Sequence, residues 1–324
     1  HLLSRRQRQM CIRDSIIREI NSYPNIPTIS QFLENNGQDI RTLYQSNNCW
    51  TSLKRAAGRI AYKDDVITKR LEKGMANLLH HNTASFLHFI ELFIDESKQY
   101  LDTKNYKYAL MLYYALFQDR LDKTGFASIY EALELIHKGM YSYFRQEISE
   151  IISYLLAHLQ LKTMPLGEDV LPGLELYGCY TREEIFTLAG RQTEARKMQG
   201  SVTGVFNLSE HNATLLFVTL NKSDKDFSPS TQYNDYLINE HYFHWQSQNT
   251  DSHQNNGGQR YTKQADTQNK IILFVREEKK DGYGNTCPFH CFGLVEYMSS
   301  HDDFPMNITW KLQQPAMAQY VKAI

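Results

Sequence analysis

The sequence predicts an α+β protein, an N-terminal α-helical domain followed by a mostly antiparallel, β-barrel-like domain, and three observations predict it. From Thr28 to about Leu161, apolar residues recur at helical spacing and turn-forming residues are sparse. Proline and glycine then cluster at Met164-Pro165-Leu166-Gly167 and Leu171-Pro172-Gly173, where the apolar period changes. Beyond Leu174 the apolar runs are short and β-like, at Val202 to Phe206, Leu215 to Leu220, Ile271 to Val275 and Asn307 to Leu312. The expected domains are residues 16–168 and 169–324.

In the first domain, Thr28 or Ser30 can cap a short helix through Leu33 that stops near Asn36-Gly37. Asp39 can cap the next, through Leu43 and Tyr44, and Cys49-Trp50 to Ala57-Gly58 reads as a third, closed by glycine. Three short helices in about thirty residues resemble a small DNA-binding or docking module, because a turn between helices places one of them in a groove. Ordinary helical packing around Trp50 is the other reading. Longer helices follow, carrying the stripes Phe86, Phe89, Ile90, Phe93, then Ala109, Leu112, Tyr113, Leu116, then Ile148, Ile152, Leu155, Leu159. Tyr106, Tyr108, Tyr113, Tyr114, Tyr141 and Tyr143 could stack on single strands, but they fall on or next to these stripes, which favours core packing. His80, His81 and His88 lack a carboxylate or cysteine at ligand spacing.

In the second domain, Thr181 and Glu184 have the capping-box spacing for one helix running to Gly190. The longest polar loop spans Gln246 to Lys270. The number of strands suggests a closed or nearly closed barrel, because a polar, twisted free edge would otherwise need covering.

The 324 residues suffice for two domains with proper cores, and a 42% hydrophobic, 22% charged composition is that of a globular protein. No apolar run approaches the roughly 20 residues that span a bilayer, so no membrane partner is expected. With 35 basic and 36 acidic side chains the net charge is -1, so a binder of nucleic acid would have to concentrate its cations locally. Five scattered cysteines (Cys11, Cys49, Cys179, Cys287, Cys291) and no secretory signal fit a reducing cytoplasm. Residues 1–15 need separate handling: Ser4 to Ser15 resembles translated sequencing-adapter read-through, and an unstructured segment is expected there. A basic nucleic-acid arm of Arg5, Arg6 and Arg8 is the alternative. On the first reading the natural product extends upstream.

The most informative stretch is Ser228-Pro229-Ser230-Thr231-Gln232-Tyr233-Asn234-Asp235-Tyr236, then Phe243-His244-Trp245-Gln246-Ser247-Gln248 and Gly258-Gln259-Arg260-Tyr261. With Leu176-Tyr177-Gly178 to Ile185, Phe217 to Lys222, Leu273 to Arg276 and Met306 to Leu312, it closely resembles the bacterial family called domain of unknown function 3427. The helical segment, including Ile29 to Leu33 and Cys49 to Gly58, is similar to the region preceding that domain, so the resemblance covers nearly all of Ile26 to Ala323. It implies a place behind a superfamily 2 DEAD/DEAH-type helicase core, often with a phospholipase-D-like nuclease in front, in restriction or phage defence. No G-x-x-x-x-G-K-[ST] loop, Asp-Glu-Ala-His box or H-x-K motif occurs here. No cofactor is therefore expected in this chain; ATP and magnesium would belong to the motor domains.

In a strand alternate side chains share a face, so Phe243, Trp245 and Ser247 point one way and Tyr242, His244, Gln246 and Gln248 the other. Gln246 and Gln248 suit adenine, His244 offers a donor and an acceptor, Arg260 suits guanine or phosphate, and Tyr233 and Tyr261 could stack. With Lys222, these seven are the candidate nucleic-acid-binding residues. The bland alternative makes Trp245 core and His244 and Gln246 partners of buried polar groups. Cys287, His290 and Cys291 fall short of a zinc site, since Cys179 and His301 are remote, and nothing marks a depressed thiol pKa. Asp302-Asp303 and Asp224-Asp226 read as turn residues.

The leading expectation is a non-catalytic accessory module that helps a helicase choose or grip DNA. A protein-docking module without DNA contact is one alternative. An enzyme acting on a base or nucleotide through the His244 and Asp235 region is another, and it requires a histidine at hydrogen-bond distance from a carboxylate.

Overall fold

Several helix starts in the first half are written in side-chain caps, and the computed structural model, which describes residues 2–95, 105–167, 170–198, 203–222 and 233–321, shows these formed. The chain divides into two compact units, residues 1–160 with 192–197, and residues 161–191 with 198–324. No helix among the described residues is long and apolar enough to cross a membrane.

The first unit opens with α1 (Leu2–Ser22), so the unstructured segment expected at residues 1–15 is instead helical. No proline or glycine interrupts it, and its last turns are anchored by Ile16 and Ile20, both buried. Arg59 closes its end, donating from Nη1 to the carbonyl of Tyr23 at 2.9 Å. Thr28 then forms a reciprocal capping box with Gln31 at the start of α2 (Ile29–Asn36), which ends on Gly37 in the left-handed region. Asp39 caps a 3-10 stretch over Ile40–Asn47, and Cys49 caps α3 (Trp50–Ala56).

The remaining helices are α4 (Val66–Gly74), α5 (Ala84–Asp95), α6 (Tyr106–Phe117), α7 (Leu121–Thr124), α8 (Ile129–Glu134) and α9 (Ser142–Ala157). Two acids on α9 hold the starts of two other helices. The buried Glu147 carboxylate accepts the amides of Trp50 and Thr51 at 2.7 and 2.8 Å, and Glu150 accepts that of Ile29 at 2.8 Å. Each negative charge meets unpaired N–H groups at the positive end of a helix dipole. Trp50, Thr51, Leu53 and Lys54 of α3 are all buried, and Arg55 is occupied by Glu72 and the Tyr62 ring. Helix α3 is therefore packing around Trp50, not a free helix for a groove. The tyrosines follow the same pattern: Tyr113, Tyr114 and Tyr141 are buried, and Tyr108 packs on Phe86 and Phe89.

Residues 192–197 join this unit because Tyr114 donates to the carbonyl of Thr193 at 2.7 Å and the amide of Leu121 to that of Glu194 at 3.2 Å. Gly74 lets α4 and α6 touch: a Cβ there would lie 2.6 Å from the Cα and carbonyl oxygen of Leu116.

The second unit begins with a two-stranded ladder of β1 (Met164–Pro165) and β2 (Glu175–Leu176). Its main sheet contains β3 (Cys179–Tyr180), β4 (Val205–Leu208), β5 (Ala213–Asn221), β6 (Tyr236–Asn239), β7 (Tyr242–Gln246), β8 (Lys270–Glu278), β9 (Phe289–His301) and β10 (Asn307–Leu312). Strand order is β4-β5-β8-β9-β10-β7-β6, with β3 paired to β9. All pairings are antiparallel except β5 with β8. Helices α10 (Arg182–Leu188), α11 (Asn256–Thr262), α12 (Gln264–Thr267) and α13 (Ala318–Val321) complete the unit.

The mixed, mostly antiparallel α+β character agrees with the sequence, but the closed barrel does not: β4 and β6 end the sheet without pairing to each other. The reason lies in the apolar runs. Ala213 to Thr219 and Ile271 to Arg276 are buried without alternation, the mark of strands covered on both faces. On one face Leu216, Val218, Leu273, Val275, Phe292 and Trp310 share a core with Tyr261 of α11 and Tyr320 of α13. On the other, Phe217 stacks on Phe274 and meets Phe186 of α10. Helices thus cover the two faces of a sheet whose end strands, β4 and β6, do not pair with each other.

Candidate nucleic-acid interface

Strand β7 alternates as its sequence predicts: Phe243 and Trp245 are buried, whereas Tyr242, His244 and Gln246 are only partly so. The register carries this polar face across neighbouring strands, since His244 lies opposite Tyr236 of β6 on one side and Thr309 of β10 on the other. Thr309 in turn faces Ser299 of β9. The His244 ring stacks on exposed Tyr236, centroids 4.6 Å apart and planes 13° from parallel.

Hydrogen bonding fixes what His244 can offer. Its Nδ1 lies 2.9 Å from the carbonyl oxygen of Asn234, which can only accept, so Nδ1 carries the hydrogen. In the neutral ring Nε2 is then an acceptor, and no group among the described residues meets it. Gln248 and Arg260 are also partly exposed, and among the described residues neither side chain has a hydrogen-bond partner.

The other predicted residues are structural. Gln246 accepts the amide of Asn234 at 2.7 Å and donates to Asn307 at 3.0 Å, which donates to Asp302. Its amide therefore holds the 234 segment to β10, with one donor and one acceptor site of the group already engaged. Lys222 donates to Asp235 at 2.6 Å and to the Tyr233 carbonyl, with only 8% of its side chain exposed, so it is no phosphate contact. Tyr233 lies partly buried with its ring 5.8 Å from the same ammonium. Burial pushes the Asp235 carboxyl up, while Lys222 and the Gln246 amide oppose it. Tyr261 is not a stacking platform for a ligand: it is buried edge-on against Trp245 and Trp310, with its hydroxyl on Asp251 at 3.2 Å. A short helix, α11, stands within the loop expected at that point and turns Tyr261 into the core. Asp224, Asp226 and residues 228–232 lie outside the described residues.

The thiols are of the inert kind: burial pushes Cys291 up to about 12 and raises Cys179 and Cys287 as well. His290 is engaged with the Tyr320 hydroxyl at 2.7 Å.

One constellation escaped the sequence reading. His253, in the turn before α11, places Nδ1 2.8 Å from Asp303 Oδ1 and Nε2 2.7 Å from Ser300 Oγ. The Tyr297 hydroxyl lies 2.8 Å from the same Oγ. The His253 amide also donates to Asp303, at 2.7 Å, and these two donors hold that carboxyl below its ordinary range. Among the described residues no carboxylate hydrogen-bonds to His244, whereas Asp303 bonds to His253. The only sequence signal was a histidine in a polar loop and two aspartates in a turn about fifty residues on, with nothing to join them.

No curated protein sequence matches this chain. Residues 174–323, which make up most of the second unit, match the family model described as Domain of unknown function (DUF3427).

Proposed function

We propose that the second unit is a recognition module for nucleic acid that works alongside the motor domains of a restriction- or defence-type helicase. The observation behind this reading is the His244–Tyr236 pair, an aromatic stack on a solvent-facing sheet surface with an imidazole acceptor beside it. A base has a π face and hydrogen-bonding edges, and stacking tolerates any base while an acceptor selects an amino-bearing edge. Gln248, two residues beyond β7, and Arg260 of α11 offer further partly exposed polar groups, Arg260 on the helix that packs against the Trp245 face of the sheet. ATP and magnesium would be held by the motor domains. The family match says nothing of partner or activity, so the helicase association rests on the motif resemblance alone.

A protein-docking role is favoured by a different observation: β6 ends the sheet and exposes Tyr236 and Ile238, as a strand-pairing surface would. A salt series on the full chain separates the two. Binding of duplex, base-modified or single-stranded oligonucleotides that weakens steeply with salt, and by roughly fivefold to a hundredfold in Tyr236→Ala at ~1–3 kcal/mol per stacked base, is the expected result. Failure to bind any of these, or a His244→Ala, Tyr236→Ala double variant that binds unchanged, overturns it.

A further inference from the structure

We propose that Ser300 is a nucleophile activated by His253 and Asp303, giving the second unit an acyl-transfer site separate from the His244 surface. Three segments bring the groups together: the turn before α11, the end of β9, and the β9–β10 connection. The direction of each proton follows from the chemistry. Asp303 is ionised at neutral pH and can only accept, so His253 Nδ1 carries hydrogen. In the neutral ring Nε2 is a lone pair, so Ser300 donates to it, and Tyr297 then donates to Ser300. The result is an Asp-His-Ser chain with the polarity of a general-base relay, recognised by geometry and not by sequence order.

His253 and Asp303 keep 34% and 39% of their side chains exposed, so solvent reaches this end of the relay, and Ser300 is half-buried beside it. Exposed Phe304, next to Asp303 in the chain, offers an apolar surface for an acyl group. The substrate class is a carboxylic ester with a small acyl group. In the first half-reaction Ser300 Oγ bonds to the carbonyl carbon while its proton passes to His253 Nε2. The Tyr297 hydroxyl, 2.8 Å from Ser300 Oγ, would turn its hydrogen bond to the developing oxyanion. Collapse breaks the ester C–O bond, and the leaving alkoxide takes the proton from His253. Water then attacks the acyl-serine by the same route, so that ester and water give acid and alcohol. Asp303 acts as a positioning residue.

The test uses the full chain without nucleic acid, so its outcome is independent of the recognition role. A fluorophosphonate probe is added, followed by peptide mapping and by release of p-nitrophenolate from p-nitrophenyl acetate. The expected result is one adduct at Ser300, absent in Ser300→Ala and slowed about a hundredfold or more in His253→Gln at unchanged circular dichroism. An unlabelled Ser300 in folded protein, or labelling unaffected by His253→Gln, overturns the proposal. If His253→Gln does not fold, Ser300→Cys decides. Its alkylation by iodoacetamide should persist at pH 6 if His253 holds a thiolate, and a tenfold fall per pH unit below about 8 contradicts it.

Discussion

Glu147 of α9 and Trp50 of α3 are joined through a 2.7 Å bond from the Trp50 amide to the Glu147 carboxylate, although 97 residues separate them. The same carboxylate takes the amide of Thr51, so one fully buried acid serves two N–H groups at a helix start. Glu147→Ala would leave both donors without a partner, at ~1–3 kcal/mol for each buried group. Denaturant unfolding should show a loss of about 2–6 kcal/mol, with Glu147→Gln intermediate because its amide oxygen still accepts. A change below about 0.5 kcal/mol would mean that water or another group replaces the carboxylate.

Gly74 lies where α4 crosses α6, and backbone atoms of Leu116 occupy the place of a Cβ. Because backbone cannot swing aside as a side chain can, Gly74→Ala must push the helices apart. Despite alanine's better helix propensity, we expect a net destabilisation of about 1–3 kcal/mol by thermal or denaturant unfolding. A stabilised variant would show that the two helices separate freely.

Lys222 and Asp235 form a buried pair, with 8% and 3% of their side chains exposed. Removing one partner strands the other charge, so Lys222→Met should destabilise by roughly 3–5 kcal/mol. Replacing both in Lys222→Met, Asp235→Leu should recover much of that, since a buried pair often does little better than an apolar one. A double variant as unstable as the single one would instead show that the bonds to the Gln246 amide and Tyr233 carbonyl matter more than charge.

Asp303 gives a pH prediction with a definite sign. Its folded pKa is lowered from 3.8, first by the His253 amide and then by the His253 side chain. The stability it contributes is therefore fully present above the unfolded value and disappears as pH falls through the folded one. Between about pH 5 and pH 2 the wild type should lose more thermal stability than Asp303→Asn, whose side chain does not titrate. Parallel curves for the two proteins would contradict the bond pattern around His253.

What the sequence disclosed was mostly local. Thr28, Asp39 and Thr181 cap helices because capping depends on residues two or three apart. The alternation of Phe243, His244 and Trp245 was legible because one face of β7 is core. The barrel was misread because continuous apolar runs report burial on both faces without naming the cover, which here is helical. Tyr261 was misplaced for a related reason: α11 breaks the 246–270 loop, and its short Gly257-Gly258 start looks like a turn. A Cβ on Gly258 would lie 2.0 Å from the Ser252 carbonyl oxygen, so those glycines serve close packing. Gln246 and Lys222 kept their polar character but spent it on neighbours brought in by β6 and β10. The contact of His253 with Ser300 and Asp303 joins residues 47 and 50 positions apart, and no spacing rule reaches so far.

Photocrosslinking of an iodouracil-substituted oligonucleotide to the full chain, with the adduct mapped by mass spectrometry, tests the recognition surface most directly. The stacked pair on β6 and β7 predicts adducts on the peptide containing Tyr236 and His244, competed by unlabelled oligonucleotide and lost in Tyr236→Ala. Crosslinks confined to other parts of the chain, or none at low salt, would contradict it.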